Sequence, residues 1–155
     1  MSVIERILLA TNFDAPSDHA RAAALRMADR LRATVTVLHV LDLPLSAYYA
    51  AKLPADFVSS LESVALSKLA ETLAVVREKI PSANALLCHG VPWKQIVSRA
   101  ESTGCQLIVL GSHSRGGGGR SLIGSVARDV ARASSVPVLT VQDPDQLTRS
   151  LPTYS

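Results

Sequence analysis

The chain has 155 residues, 48% of them hydrophobic and 4% aromatic, with a formal net charge of +3. That length suits one domain with a proper core and leaves no room for a second. Lys and Arg are spread along the chain without a dense run, and few aromatics are present to stack bases, which argues against a general nucleic-acid binder.

No apolar stretch approaches the roughly eighteen residues a membrane span needs, and the N-terminus runs straight into a strand pattern, so neither a span nor a signal peptide is expected. Cys88 and Cys105 lie outside any Cys-x-x-Cys spacing and beside apolar segments. They read as reduced, buried thiols of a cytoplasmic protein.

Five short apolar runs alternate with helical patterns, the signature of a parallel sheet covered on both faces. The first strand is expected at 6–11. After a turn at Asp14-Ala-Pro16, Ser17 is placed to cap a helix whose apolar positions Ala20, Ala24, Met27, Ala28 and Leu31 recur at intervals of three and four. A β-branched run predicts the second strand at 34–41. Residues 43–53 show no clean period. Pro54 then opens a long helix with Val58, Leu61, Ala65, Leu69, Leu73, Val76 and Ile80 on one face, and Pro81 stops it. The third strand is expected at 83–89. Gly90-Val-Pro92 turns into a helix carrying Ile96, Val97 and Ala100, closed by Gly104 as its C-cap. A fourth strand at 106–110, a helix through Val126, Val130 and Ala133, and a fifth strand at 136–141 complete the series. The domain is set at 1–142, and 143–155, with its two prolines and small polar residues, is expected to be a mobile tail.

The most telling segment is Gly111-Ser-His-Ser-Arg-Gly-Gly-Gly-Gly-Arg-Ser-Leu-Ile-Gly124-Ser125-Val126, between the fourth strand and its helix. A strand feeding a glycine-rich loop that ends at a helix start is a phosphate cradle: glycines let backbone N–H groups turn inward, and the helix N-terminus stabilises an anion. Two common fingerprints do not fit. A Walker loop needs Gly-Lys-Ser/Thr, but no lysine follows Lys94, and no Gly-x-Gly-x-x-Gly follows the first strand. The arginines Arg115, Arg120, Arg128 and Arg132 are either phosphate ligands or, for the last two, a solvated helix face with Asp129 between them.

Together, Ile7-Leu-Leu-Ala-Thr-Asn-Phe-Asp14, Val37-Leu-His-Val40, Gly90-Val-Pro92, Leu107-Ile-Val-Leu-Gly-Ser-His113, Leu122-Ile-Gly-Ser-Val126 and Val136-Pro-Val-Leu139 resemble the universal stress protein (UspA-like) family over nearly the whole chain. The resemblance implies a single doubly wound α/β domain of the adenine-nucleotide alpha-hydrolase-like kind, with five parallel strands in the order 3-2-1-4-5 and a homodimer paired through the last strand. It also implies ATP, with or without Mg²⁺, bound at the ends of strands one, two and four. Ala10 and Thr11 match positions lining the adenine pocket, Val40 the position whose backbone reads the adenine edge, and Ser125 with the Val126 amide the phosphate ligands.

The family's ATP-binding loop reads Gly-x2-Gly-x9-Gly-Ser/Thr. Gly111, Gly124 and Ser125 match it in register, while Ser114 replaces the middle glycine. A non-glycine residue at positive φ costs about 1 kcal/mol, but a serine hydroxyl can also donate to a phosphate. His113 and Arg115 flank that position; His113 reads either as a phosphate contact or as a solvated loop histidine, and Arg115 belongs to the arginine cluster that could serve phosphates. At the end of strand one, Asn12 stands where nucleotide-binding relatives usually present aspartate; its amide suits a ribose hydroxyl but is a poor Mg²⁺ ligand. Asp14 substitutes only if its turn points it inward.

Catalysis needs a nucleophile or base with an orienting partner, and no persuasive set is present. His19, His39, His89 and His113 are scattered at spacings unlike metal sites. His39 reads as a satisfied core histidine and Trp93 as a packing residue at a helix start. The sequence therefore points to a nucleotide-responsive stress or signalling module. Its alternatives are a nucleotide-free dimeric interaction protein with a degenerate pocket, and a slow ATPase.

Overall fold

The computed structural model describes residues 3–42, 54–112 and 124–142. Short β-branched and leucine-rich runs form β1 (Arg6–Ala10), β2 (Thr34–Leu41), β3 (Asn84–His89), β4 (Leu107–Ser112) and β5 (Val138–Gln142). Between them stand α1 (Ala15–Leu31), α2 (Ala55–Lys79), α3 (Pro92–Ser102) and α4 (Ser125–Ala133). All four pairings are parallel, in the order β3-β2-β1-β4-β5, the order that the family resemblance implies.

Both faces of a parallel sheet are covered, so successive strand residues feed two separate cores. Ile7, Leu9, Val35, Val37, Leu107 and Val109 pack beneath α1 and α2, against Ala20, Ala24, Ala28, Leu69 and Val76. Their alternates Leu8, Ala10, Leu38, Val40, Ile108 and Leu110 pack beneath α3 and α4, against Ile96, Ala100, Ala127 and Val130. Of the apolar face expected on α2, Ala65, Leu69, Val76 and Ile80 are buried, and Val58, Leu61 and Leu73 half-buried.

Several boundaries differ from expectation for local reasons. Asp14, not Ser17, is the N-cap of α1: its Oδ1 accepts the Ser17 N–H at 2.9 Å, leaving the Ser17 hydroxyl to accept the Asn12 N–H at 2.9 Å. The C-cap of α3 is Thr103, and Gly104 follows in the left-handed region at φ +68°. The Gly104 N–H donates to Glu101 O and the Cys105 N–H to Ala100 O, the paired closure that satisfies a helix's last carbonyls. β4 runs on to Ser112 because Gly111 and Ser112 pair with Val141 and Gln142. β5 starts two residues later than expected because Ser134 and Val136 bond each other in a turn and Pro137 lacks an N–H. Both cysteines are buried free thiols, and desolvation raises the pKa of Cys105 despite the opposing Thr103 hydroxyl and Arg6 charge.

Candidate functional site

Strand order reverses between β1 and β4, so the connections leaving these two strands diverge and open a crevice at their C-terminal ends. A cavity of about 380 Å³ lies there, on the α3 and α4 face of the sheet. Its floor is Ala10, Leu38, Val40 and Leu110; Pro92 and Ile96 of α3 close one side, and Gly124 to Arg128 of α4 the other.

β1 ends in this floor, at Ala10. The Thr11 N–H still reaches Leu38 O at 2.9 Å, while the next backbone group, Thr11 O, accepts from His39 Nδ1 at 2.7 Å. The carbonyl fixes the tautomer, since only a protonated Nδ1 can donate to it. His39 thus acts from the opposite face of the sheet, as a satisfied core histidine, with its ring 4.4 Å from that of Phe13. Phe13 takes φ +62°, a left-handed turn that throws the chain away from the sheet. Alternating strand residues address alternate neighbours: Leu41 O accepts the Gly90 N–H after β3, whereas Leu38 O addresses β1. Val40 therefore aims its N–H and C=O at the β1 side, one step past the point where β1 has turned off.

At the other wall, Gly124 is the N-cap of α4 and no side chain caps that helix. The first intrahelical bond runs from Arg128 N to Gly124 O. The amides of Ser125, Val126 and Ala127 are accordingly the orphan donors of the first turn, and all three residues line the cavity. Ser125 is the first helical residue after that cap.

Eight of the eleven sequence-derived site residues line this one cavity: Ala10, Thr11, Asn12, Val40, Gly111, Gly124, Ser125 and Val126. His113, Ser114 and Arg115 lie outside the described residues. Two of the eight have duties the sequence did not suggest. The Gly124 N–H is already given to Ser112 Oγ at 3.0 Å. Gly111 faces α1, where an added Cβ would stand 2.4 Å from the Pro16 carbonyl carbon and 2.5 Å from its oxygen. Glycine at 111 is thus first a condition for α1 to approach the sheet.

Ser17 and Ser112 were missed as site residues, and Arg128, left open between phosphate ligand and solvated helix face, joins the lining. Ser17 lines the cavity and holds Asn12 by its N–H, and buried Ser112 ties the two ends of segment 113–123 together. Strand alternation alone would have nominated Leu38 and Leu110. Asp14, committed to the α1 cap, is absent from the lining, and Arg132 likewise, whereas Arg128 stands at its rim. Among the described residues no three His, Cys, Asp or Glu side chains cluster as a metal site would need.

A doubly wound parallel sheet with a ligand-sized crevice at its switch point defines the class, a doubly wound α/β domain. The universal stress protein family matches residues 4–142, and the chain belongs to that family. A universal stress protein of Mycobacterium tuberculosis (strain H37Rv) is 31% identical over 140 residues, which are 88% of this chain and 45% of that protein. The chain thus spans less than half the length of that relative. Universal stress protein UspA from Lactobacillus plantarum superposes with a TM-score of 0.76 at 20% identity, over 91% of this chain and 99% of its own. A universal stress protein in complex with cAMP gives 0.67 at 20% identity over 91% and 98%. One from Archaeoglobus fulgidus in complex with dAMP gives 0.61 at 20% identity over 90% and 99%. At such identities these structures establish the shared fold.

Among the described residues, no helix is long and apolar enough to cross a membrane.

Proposed function

We propose that this universal stress protein binds an adenine nucleotide, ATP in the first instance, in the crevice at the ends of β1, β2 and β4, and acts as a nucleotide-responsive signalling module of the cytoplasm. One observation carries the reading: a cavity of about 380 Å³ combines an apolar floor and an exposed backbone edge at Val40 with the amide-bearing first turn of α4. An apolar slot with one hydrogen-bonding edge suits a flat purine, and an uncapped helix start suits its phosphate. The volume lies within the roughly 300–1,000 Å³ of small-ligand sites. The cAMP and dAMP complexes of structural relatives support the same ligand class.

In this assignment Val40 reads the adenine edge, Ala10 and Thr11 line the base, and Asn12 faces the ribose. Ser125 and Val126 hold phosphate, and Gly111 and Gly124 shape the frame. His113, Ser114 and Arg115 complete the phosphate side of the same proposal. The protein works as a dimer through β5, a half-exposed edge strand whose outer backbone groups a second copy can pair.

Equilibrium dialysis with labelled ATP, with and without Mg²⁺, tests the ligand. Saturable binding is expected, together with about 2.7 kcal/mol of added stability at a hundredfold excess over Kd. No saturable binding up to millimolar nucleotide would overturn the assignment. Sedimentation at micromolar concentration is expected to show a dimer, and a monomer refutes the pairing.

A further inference from the structure

The cavity that this reading assigns to a nucleotide carries an unusual set of charges. Of its fifteen described lining residues, Arg128 is the only one with a formal charge, and none is a carboxylate. The oxygen-bearing side chains are Thr11, Asn12, Ser17 and Ser125, all neutral, and two of their oxygens already accept backbone N–H groups, Thr11 Oγ1 from Phe13 and Ser17 Oγ from Asn12.

Two acidic residues close in sequence to the lining, Asp14 and Asp129, are absent from it. Asp14 caps α1, and Asp129 Oδ1 lies 3.9 Å from Arg128 Nε, a loose contact. Segment 113–123, which joins Ser112 to Gly124 in sequence, contains two arginines, a histidine and no acid. Mg²⁺ dehydrates reluctantly and is ordinarily held by one or two carboxylates in addition to phosphate oxygens. The donor set of this crevice does not fit it.

We propose that the crevice binds its nucleotide as the metal-free polyanion, with Arg128 supplying the positive charge that a divalent cation supplies elsewhere. Arg128 sits one turn into α4, on the same wall as the orphan amides of Ser125, Val126 and Ala127. Its side chain is half exposed, at 53%, and its contact to Asp129 is long enough to leave the guanidinium free to turn toward a phosphate. A Mg²⁺ on the same oxygens would meet that guanidinium as a like charge and find no protein carboxylate to offset it. Magnesium is then a competitor for the ligand and not part of the site.

The inference rests on the nucleotide reading, and calorimetry on the full chain separates the two. Titrations use ATP and adenosine, each in EDTA and in millimolar MgCl₂, with the wild type and Arg128→Gln. ATP is expected to bind in EDTA at least as tightly as in MgCl₂. Arg128→Gln is expected to weaken ATP in EDTA by about tenfold, as for a lost charge-assisted contact, and to leave adenosine unchanged. ATP binding that is severalfold tighter in MgCl₂ would overturn the metal-free proposal while upholding the nucleotide site. So would an Arg128→Gln variant that binds ATP like the wild type, or one that loses adenosine and ATP equally, which marks a damaged pocket. If neither ligand binds in either buffer, the nucleotide reading itself is wrong.

Discussion

Gly111→Ala separates two reasons for a glycine at the end of β4. If glycine is there to let a phosphate approach, alanine weakens nucleotide binding and leaves the fold intact. If it is there for α1, alanine damages the fold whether or not ligand is present. The added Cβ would stand 2.4 Å from Pro16 C, 2.5 Å from Pro16 O and 2.8 Å from Pro16 Cβ. Carbon atoms rest at about 3.5–4.0 Å, so the start of α1 must retreat by about 1 Å or more. The colliding atoms are mainly backbone, so no rotamer change relieves them. Overpacking of this kind costs about 1–3 kcal/mol, and the upper end applies here. The retreat also pulls Ser17 from the Asn12 N–H, so the nucleotide-side loop loosens with it. At this chain length, about 3 kcal/mol corresponds to a fall of roughly 6–12 °C in Tm. Urea denaturation of the ligand-free protein measures it directly. A Gly111→Ala variant within about 0.5 kcal/mol of wild type, but defective in nucleotide binding, would refute the packing argument and restore the phosphate explanation.

Two further outcomes follow from buried groups. Ser112→Ala removes the side-chain acceptor of the Gly124 N–H and is expected to cost about 1–3 kcal/mol in urea denaturation and to raise the nucleotide Kd, because the α4 start loses its tether; unchanged stability would show that the amide finds another partner. Burial raises the Cys105 pKa in the folded state, so its contribution to stability is full below the unfolded thiol pKa and is lost as pH rises past about 9. The urea midpoint is accordingly expected to fall more steeply between about pH 8 and pH 10 in wild type than in Cys105→Ala, and parallel slopes would refute this.

Most of the fold was legible because each strand is a short apolar run and each helix repeats its apolar residues at three and four. Those periods depend on neighbours close in sequence. What escaped depends on partners far away. Gly111 was singled out as a site residue, yet its collision partner is Pro16, on an element whose packing against β4 no local pattern reveals. Ser17 reads as a cap because serine precedes a helical pattern, but Asp14 competes for the same role and takes it, its Oδ1 accepting the Ser17 N–H. Arg128 is open in sequence between phosphate ligand and solvated helix face; its side chain is half exposed, and only the assembled crevice shows that it joins the lining. His39 was legible as a core residue, though not as the group that ends β1 pairing by taking the Thr11 carbonyl.

The Ser112–Gly124 hydrogen bond fixes where segment 113–123 leaves the sheet and where it returns, independently of what lies between. The entropic cost of closing a loop grows only logarithmically, about 0.6 kcal/mol for each doubling of length. Insertions, deletions or whole exchanges of 113–123 should therefore leave the domain standing. Sequence between Ser112 and Gly124 can therefore change among relatives while the five-stranded sheet and its helices stay the same.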